Sequence, residues 1–151
     1  MEFKKPKQIA ITNAMLASSG QRLGNYILDM IIYNMINVFP IAIAWVLFSF
    51  IGEENLYFWL ENINPVVDFL ISYIIIVIYY SILESVTGRS VAKYMTNTKV
   101  FMADGSTPSS SVIIKRSFCR LIPFDQLSFL GTIPRGWHDS ISKTVVVDLK
   151  K

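Results

Sequence analysis

Hydrophobic positions along this chain gather into two long runs instead of the short alternations of a soluble domain. The first, LGNYILDMIIYNMINVFPIAIAWVLFSFI, covers residues 23–51, and the second, PVVDFLISYIIIVIYYSILESVTG, covers 65–88. A bilayer core takes roughly 20 apolar residues as helix, so each run is long enough to cross once. Asn64 suits the N-cap of the second run, Pro65 its first helical position and Gly88 its C-terminal stop. The competing reading is a pair of buried core helices in a soluble protein. The rest of the 151 residues is too little to cover two such helices. The pattern therefore predicts a transmembrane hairpin, with helices over 22–51 and 65–87 joined by an extracytoplasmic loop over 52–64.

Polar residues interrupt the first run in a regular way. At about 100° per residue, Arg22, Asn25, Tyr26, Asp29, Tyr33 and Asn37 share about a third of the helix circumference. The helix thus carries one wet stripe. An aspartate at a helix centre costs about 2.5–3.5 kcal/mol on insertion, and each Ile or Leu returns about 0.3–0.6 kcal/mol, so one is tolerated. Counting about 1.5 Å per residue, Asp29 lies about 10 Å beyond Arg22, too far for direct pairing without Asn25 or water between them. Glu84 lies about 6 Å inside Gly88 on the antiparallel helix and shares a face with Tyr73, Tyr80 and Ser81. The helix dipole disfavours a carboxylate there, so Glu84 is expected to be paired or protonated. Glu84 and Asp139 both stand as candidate partners of Arg22.

The last third is shorter in period. SSSVIIKRSFCRLIPF predicts a short helix with the serines as its caps and Pro123 as its stop, and with an apolar side and a basic side that suit a helix lying in the interface. LIPFDQLSFLGTIP is apolar but only 14 residues long, and is expected to be interfacial or re-entrant. TKVFMADGSTP reads as a strand ending in an Asp104-Gly105 turn, and KTVVVDL as a second strand. Neither strand is stable alone, so the two are expected to pair and close a compact cap. The fold class is an all-α membrane protein: a two-helix transmembrane hairpin, a short interfacial or re-entrant helical segment, and a small cytoplasmic two-stranded β pair. One domain covers 1–151, with an N-terminal cytoplasmic segment over 1–21 and the cap over 88–151.

Charge sets the orientation. The chain is 52% hydrophobic with 17% charged residues. All 14 Lys and Arg residues lie in 1–22 or 89–151, leaving 66 consecutive residues with six acids and no base. The positive-inside rule then puts both termini in the cytoplasm of an inner-membrane protein. Tyr57, Phe58, Trp59 and Leu60 in the loop are suited to anchoring at headgroup level. Residues 89–151 hold ten bases and four acids, a balance suited to anionic headgroups. No nucleic-acid partner is expected.

Catalytic chemistry finds little support. Cys119 is the only cysteine, which excludes an intrachain disulfide, and His138 is the only histidine. A zinc site would need unusual ligands, and the chain has no Gly-rich phosphate loop, nucleophile elbow or CxxC. No enzyme activity, cofactor or metal is expected. A cleaved signal peptide is not expected either, because the first apolar run far exceeds the usual h-region of about 7–15 residues.

Taken together these residues resemble the RDD family of small membrane proteins, named for one arginine and two aspartates. Arg22 opens the first helix and Asp29 lies within it. The segment GRSVAKYMTNTKVFMADGSTPS is similar to the family's post-helix turn and strand, with Gly88, Lys93, Val100, Asp104, Gly105 and Pro108 in matching places. Ala92 stands where the family commonly has glycine. Basic residues recur at Arg116 and Arg120, and WHDSISKTVVV makes Asp139 the second aspartate, beside His138. The resemblance covers residues 20–147. It implies a membrane protein, some relatives being linked to sodium–proton exchange and others being parts of larger membrane assemblies. Two functions follow. One is transport of an ion or small solute by a homo-oligomer, with Asp29 and Glu84 as carboxylates, since two helices cannot enclose a path alone. The other is a non-catalytic scaffold or assembly subunit with a membrane partner, in which Arg22, Asp29 and Asp139 form a structural set.

Overall fold

The computed structural model describes residues 11–51, 62–131 and 134–151. The aromatic cluster Tyr57 to Leu60 lies outside the described residues. Two long helices dominate. Helix α1 covers Ser19–Ile51 and α2 covers Pro65–Thr87, with mean hydropathies of 1.9 and 2.3 over their most apolar windows. Both are long and apolar enough to cross a membrane, and most of their apolar side chains, from Ile27 to Phe50 and from Val66 to Ile82, are exposed. Helix α1 begins three residues before Arg22, so the arginine stands within its first turn.

Local chemistry accounts for the helix ends and for the polar residues inside the spans. The Val66 N–H donates to the side chain of Asn64 (2.9 Å), Pro65 occupies the first turn, and Gly88 ends α2 with φ 73°. Within α1, Asn34, Asn37 and Ser49 donate to the carbonyls of Met30, Tyr33 and Trp45, each at 2.8 Å. These bonds one turn back satisfy polar groups inside an apolar stretch without a partner helix.

The C-terminal cap follows α2 directly. It comprises α3 (Val91–Met95), strand β1 (Thr98–Met102), helix α4 (Ser110–Cys119), a 3-10 turn (Asp125–Leu130), helix α5 (Trp137–Ser142) and strand β2 (Thr144–Asp148). The two strands pair antiparallel, with Val100 opposite Val146. Leu16 bridges to Val147, and the Ala17 N–H donates to Val146 O (2.9 Å), so the chain before α1 lines the free edge of β2. Ala17, Val100, Ile113 and Val146 form the apolar core. That core is small. Among the described residues fifteen polar or charged side chains are buried against ten apolar ones, so polar contacts must hold much of the cap.

Two sequence expectations need correction. The basic side of α4 was expected to face lipid headgroups, but Arg116 is fully buried while Ile114 and Phe118 are exposed. The cause is the partner surface: α4 packs on α2, where Glu84 is waiting. The serines also do not cap α4 by side-chain bonds to its backbone; Ser109 and Ser111 meet each other instead (3.0 Å). The 121–134 segment forms only the 3-10 turn among its described residues, with Phe124, Leu127 and Leu130 exposed.

Gly88 carries the turn from α2 into the cap, and its carbonyl accepts the Val100 N–H (2.9 Å). A side chain here would force a left-handed residue at about 1–2 kcal/mol and press a Cβ against Lys99 Cε. Gly88→Ala is expected to lower the unfolding midpoint of the detergent-purified protein by several degrees, measured by thermal unfolding, whereas Gly24→Ala, where nothing lies near the added carbon, is expected to leave it nearly unchanged.

Candidate functional site

The polar residues singled out by the sequence converge where α1, α2 and the cap meet. Arg116 lies at the centre. Its Nη1 donates to Glu84 Oε2 (2.5 Å), its Nη2 to Asp139 Oδ1 (2.7 Å), and its Nε to Asp139 Oδ1 and Thr144 Oγ1 (both 3.2 Å). One planar guanidinium thus joins α2, α5 and β2, a geometry that only arginine's rigid fork supplies.

Each carboxylate of this centre has further donors. Glu84 Oε1 accepts from Lys93 Nζ (2.8 Å) and Arg120 Nη2 (3.2 Å). Asp139 Oδ2 accepts from Arg22 Nη2 and from the Gly136 N–H (3.2 Å). Arg22 therefore pairs with Asp139, and Glu84 is taken by three other cations. Tyr80 serves as a wall, with the Arg120 guanidinium 3.9 Å from its ring centre and Lys93 Nζ at 5.6 Å.

Asp29 is answered differently. Its oxygens accept from the hydroxyls of Tyr79 (2.8 Å) and Ser90 (2.5 Å) and from the Ala92 N–H (3.1 Å). Ser90 is the N-cap of α3 and Ala92 lies in its first turn, so the carboxylate sits where free backbone donors point. No cation is bonded to Asp29 among the described residues. Two hydroxyls and a backbone amide thus stand where an ion pair would otherwise be needed. Asn25, one turn before it, donates to Thr98 Oγ1 (3.0 Å) and accepts from Thr96 Oγ1 (2.5 Å). Further along the stripe Tyr33 donates to Ser72 O of α2 (2.8 Å), while among the described residues Asn37 bonds within α1, to Tyr33 O, and takes no part in the cluster.

His138 extends the network to Asp125, a residue the sequence reading passed over. Asp125 accepts the His138 N–H (2.8 Å) and faces Nδ1 at 2.5 Å, while Nε2 lies 3.4 Å from Asp139 Oδ2. Burial pulls the imidazole pKa down to about 4; the Asp139 charge opposes this, and Arg120 and Arg116 add to it. Burial pushes the Asp139 carboxyl up, but His138, Arg116 and Arg22 outweigh it and hold the group well below the usual carboxylate range. Burial lowers the Lys93 ammonium, against the pull of Glu84. Burial also opposes the Arg116 charge, but Glu84 and Asp139 outweigh it and raise its pKa.

Lys93, Ser90, Tyr79, Tyr80 and Asp125 complete the site but were not read as site residues. Asp125 left the clearest signal, an acid within an apolar segment, the same mark that drew attention to Asp29. Tyr79 carried none, since a tyrosine in an apolar helix is ordinary. Among the described residues no group of histidine, cysteine and carboxylate side chains is arranged to hold a metal.

Removing Arg116 takes the shared donor from two buried carboxylates, leaving Glu84 to Lys93 and Arg120 and Asp139 to Arg22, and breaking a buried ion-pair network in this way typically costs about 3–5 kcal/mol. Arg116→Ala is expected to abolish folded protein or lower its midpoint by well over ten degrees in detergent. Arg116→Lys should recover only part of the loss, because one ammonium cannot fork to both acids. Between pH about 4 and 6.5 the unfolded chain carries the His138 proton and the folded chain does not, so stability falls as pH falls through that window. Thermal unfolding across it is expected to show this slope in the wild type and a flatter one in His138→Gln.

The arrangement brings the arginine and both aspartates of the recognised motif into one buried cluster, with Arg22 on Asp139 and Asp29 on the start of α3. No curated protein and no solved structure matches the chain. The sequence model of the RDD family matches residues 16–144, and the chain belongs to that family.

Proposed function

We propose that this protein is an integral inner-membrane module that crosses the bilayer twice with both termini in the cytoplasm. Family membership and the two apolar helices support the membrane reading, and the 66-residue stretch without a base supports the orientation. The exposed Ile114, Phe118, Phe124 and Leu127 suit a cap resting partly in the inner leaflet, with its surplus bases toward anionic headgroups. In this reading the protein is a non-enzymatic scaffold or assembly subunit that works as a homo-oligomer or with a membrane partner. The Arg, Asp, Asp set is then the clasp that gives the assembled surface its shape.

One observation carries the choice of scaffold over carrier. Asp29, the carboxylate deepest in the first helix, is 2% exposed and already holds three donors. A cation-carrying carboxylate must exchange partners during each cycle, and every exchange here would open a buried network. Transport stays as a second reading for a single reason: Asp29 also lines a small cavity between α1, α2 and the cap.

Proteoliposome flux beside a stability assay separates the two. The scaffold reading expects sodium and proton flux at the level of protein-free vesicles, while Asp29→Asn, Arg22→Ala and Asp139→Ala each lower the unfolding midpoint. Wild-type flux that disappears in an Asp29→Asn protein of unchanged stability would reverse the assignment. Cross-linking in native membranes should then capture either a second copy or a partner.

A further inference from the structure

The docking of α4 on the second span sets the depth of the chain that follows it. Arg116 meets Glu84 near the cytoplasmic end of α2, and Arg120, one turn on, stacks over Tyr80, one turn deeper in the span. Helix α4 therefore runs antiparallel to α2, away from Gly88 and into the level of the bilayer. At about 1.5 Å per residue, Glu84 lies about 6 Å inside Gly88 and Tyr80 about 12 Å. The inner half of a hydrocarbon core is about 15 Å thick, so the end of α4 stands well within it. The chain then turns at Pro123 and Phe124 and comes back out. On the return, the Phe129 carbonyl accepts from Ser19 Oγ (3.1 Å) and its ring faces the Arg22 guanidinium (5.9 Å), both at the start of α1.

Exposure along this excursion is the reverse of a water-facing loop. Between Leu121 and Leu130 the exposed side chains are Ile122, Pro123, Phe124, Leu127 and Leu130, all of them apolar. The polar residues of the same stretch have partners within the protein. Asp125 is fully buried on His138, Gln126 donates to Arg120 O (3.1 Å), and Ser128 donates to Asp125 O (2.5 Å). The backbone also closes on itself. The N–H groups of Leu121, Ile122, Asp125 and Leu127 donate to the carbonyls of Phe118, Cys119, Ile122 and Phe124 (2.9–3.2 Å). Hydrocarbon demands such closure, because no water is there to take up free backbone groups.

Phe124 marks the tip. Its φ of 65° is a left-handed conformation that costs a bulky residue about 1–2 kcal/mol, yet its side chain is 72% exposed, so contacts within the protein return little of that cost. Transfer of a phenylalanine ring from water to an apolar medium returns about 1.5–3 kcal/mol, enough to offset it. We propose that α4 and the 3-10 turn form a re-entrant wedge, with Phe124 at its tip, whose partner is the acyl-chain region of the inner leaflet. The wedge rests on the two-span membrane reading and adds to it a third point of entry that does not cross. Lys115, exposed beside Arg116, is the last exposed base before the tip and is long enough to reach back to the headgroups.

The test places single spin labels on the full chain in liposomes. Cys119 is the only cysteine, so a Cys119→Ser background leaves one labelled site per protein. Labels at Phe124→Cys and Leu127→Cys are expected to collide several-fold more with oxygen, which concentrates in hydrocarbon, than with a water-soluble nickel chelate. They should match a label at Ile74→Cys of α2, whereas one at the exposed Thr107→Cys should prefer the chelate. Preference for the chelate at Phe124 and Leu127, with Ile74 still in lipid, overturns the wedge and leaves both spans standing. Shielding of the tip from both reagents overturns it too, because a protein surface then covers those residues. If the Ile74 label itself meets the chelate, the membrane reading fails and the wedge with it. Leu127 has no left-handed backbone, so its label decides the matter even where the Phe124→Cys protein does not fold.

Discussion

Arg116 is buried between Glu84 and Asp139, and most of the structure is arranged so that this guanidinium can exist without water. It is fully inaccessible, as are both acids, so each charge depends on its partners for the solvation it gave up. Such a network adds little net stability over apolar residues of the same shape, yet losing one member is costly. Its effect is to specify an arrangement. Glu84 belongs to a span, Asp139 to α5 and Thr144 to β2, and only one docking of the cap brings all three onto a single fork. Lys93, Arg120 and Arg22 then complete the coordination of the two acids, drawing α3, the end of α4 and the first turn of α1 into the same register.

The hairpin owes its geometry to the cap as much as to its own contacts. Few residues of α1 and α2 approach each other closely, and their named bonds are Tyr33 to Ser72 and Tyr79 to Asp29. In lipid no hydrophobic force drives two apolar helices together, so polar contacts and packing must do it. Here the contacts lie at one end. Asp29 reaches both Tyr79 of α2 and the start of α3, and Arg22 reaches α5, so both helices are fastened to the same small body. Their other apolar surfaces, from Val38 to Phe50 and from Val66 to Ile74, stay exposed.

A division of chemistry runs through the three motif residues. Arg22 and Asp139 meet as opposite charges, whereas Asp29 is held by two hydroxyls and a backbone amide. The donors opposite Asp29 are ordered by secondary structure, since Ser90 and Ala92 are fixed by the start of a short helix that follows directly on the Gly88 turn. That placement explains why an aspartate is tolerated inside an otherwise apolar helix. The charge never faces lipid, because the chain folds back from the end of α2 and covers it.

Much could be read from the residue order alone. Apolar length marked two spans, Asn64, Pro65 and Gly88 marked the limits of the second, and the valine-rich TVVVD run marked a strand with TKVFM as its mate. These are local or pairwise properties, set by periodicity, caps and turns. The wet stripe of α1 was legible for the same reason, as helical spacing puts Arg22, Asn25 and Asp29 on one face. Partner choice was not legible. Arg22 could have met Glu84 or Asp139, and α4 could have turned Arg116 outward to headgroups, since helix period alone does not say which side is covered. Tertiary structure decided both, because a buried carboxylate on α2 needed a donor and α4 was the element packed against it. The small polar cavity between α1, α2 and the cap is likewise a property of seven elements meeting, and no single stretch of sequence contains it.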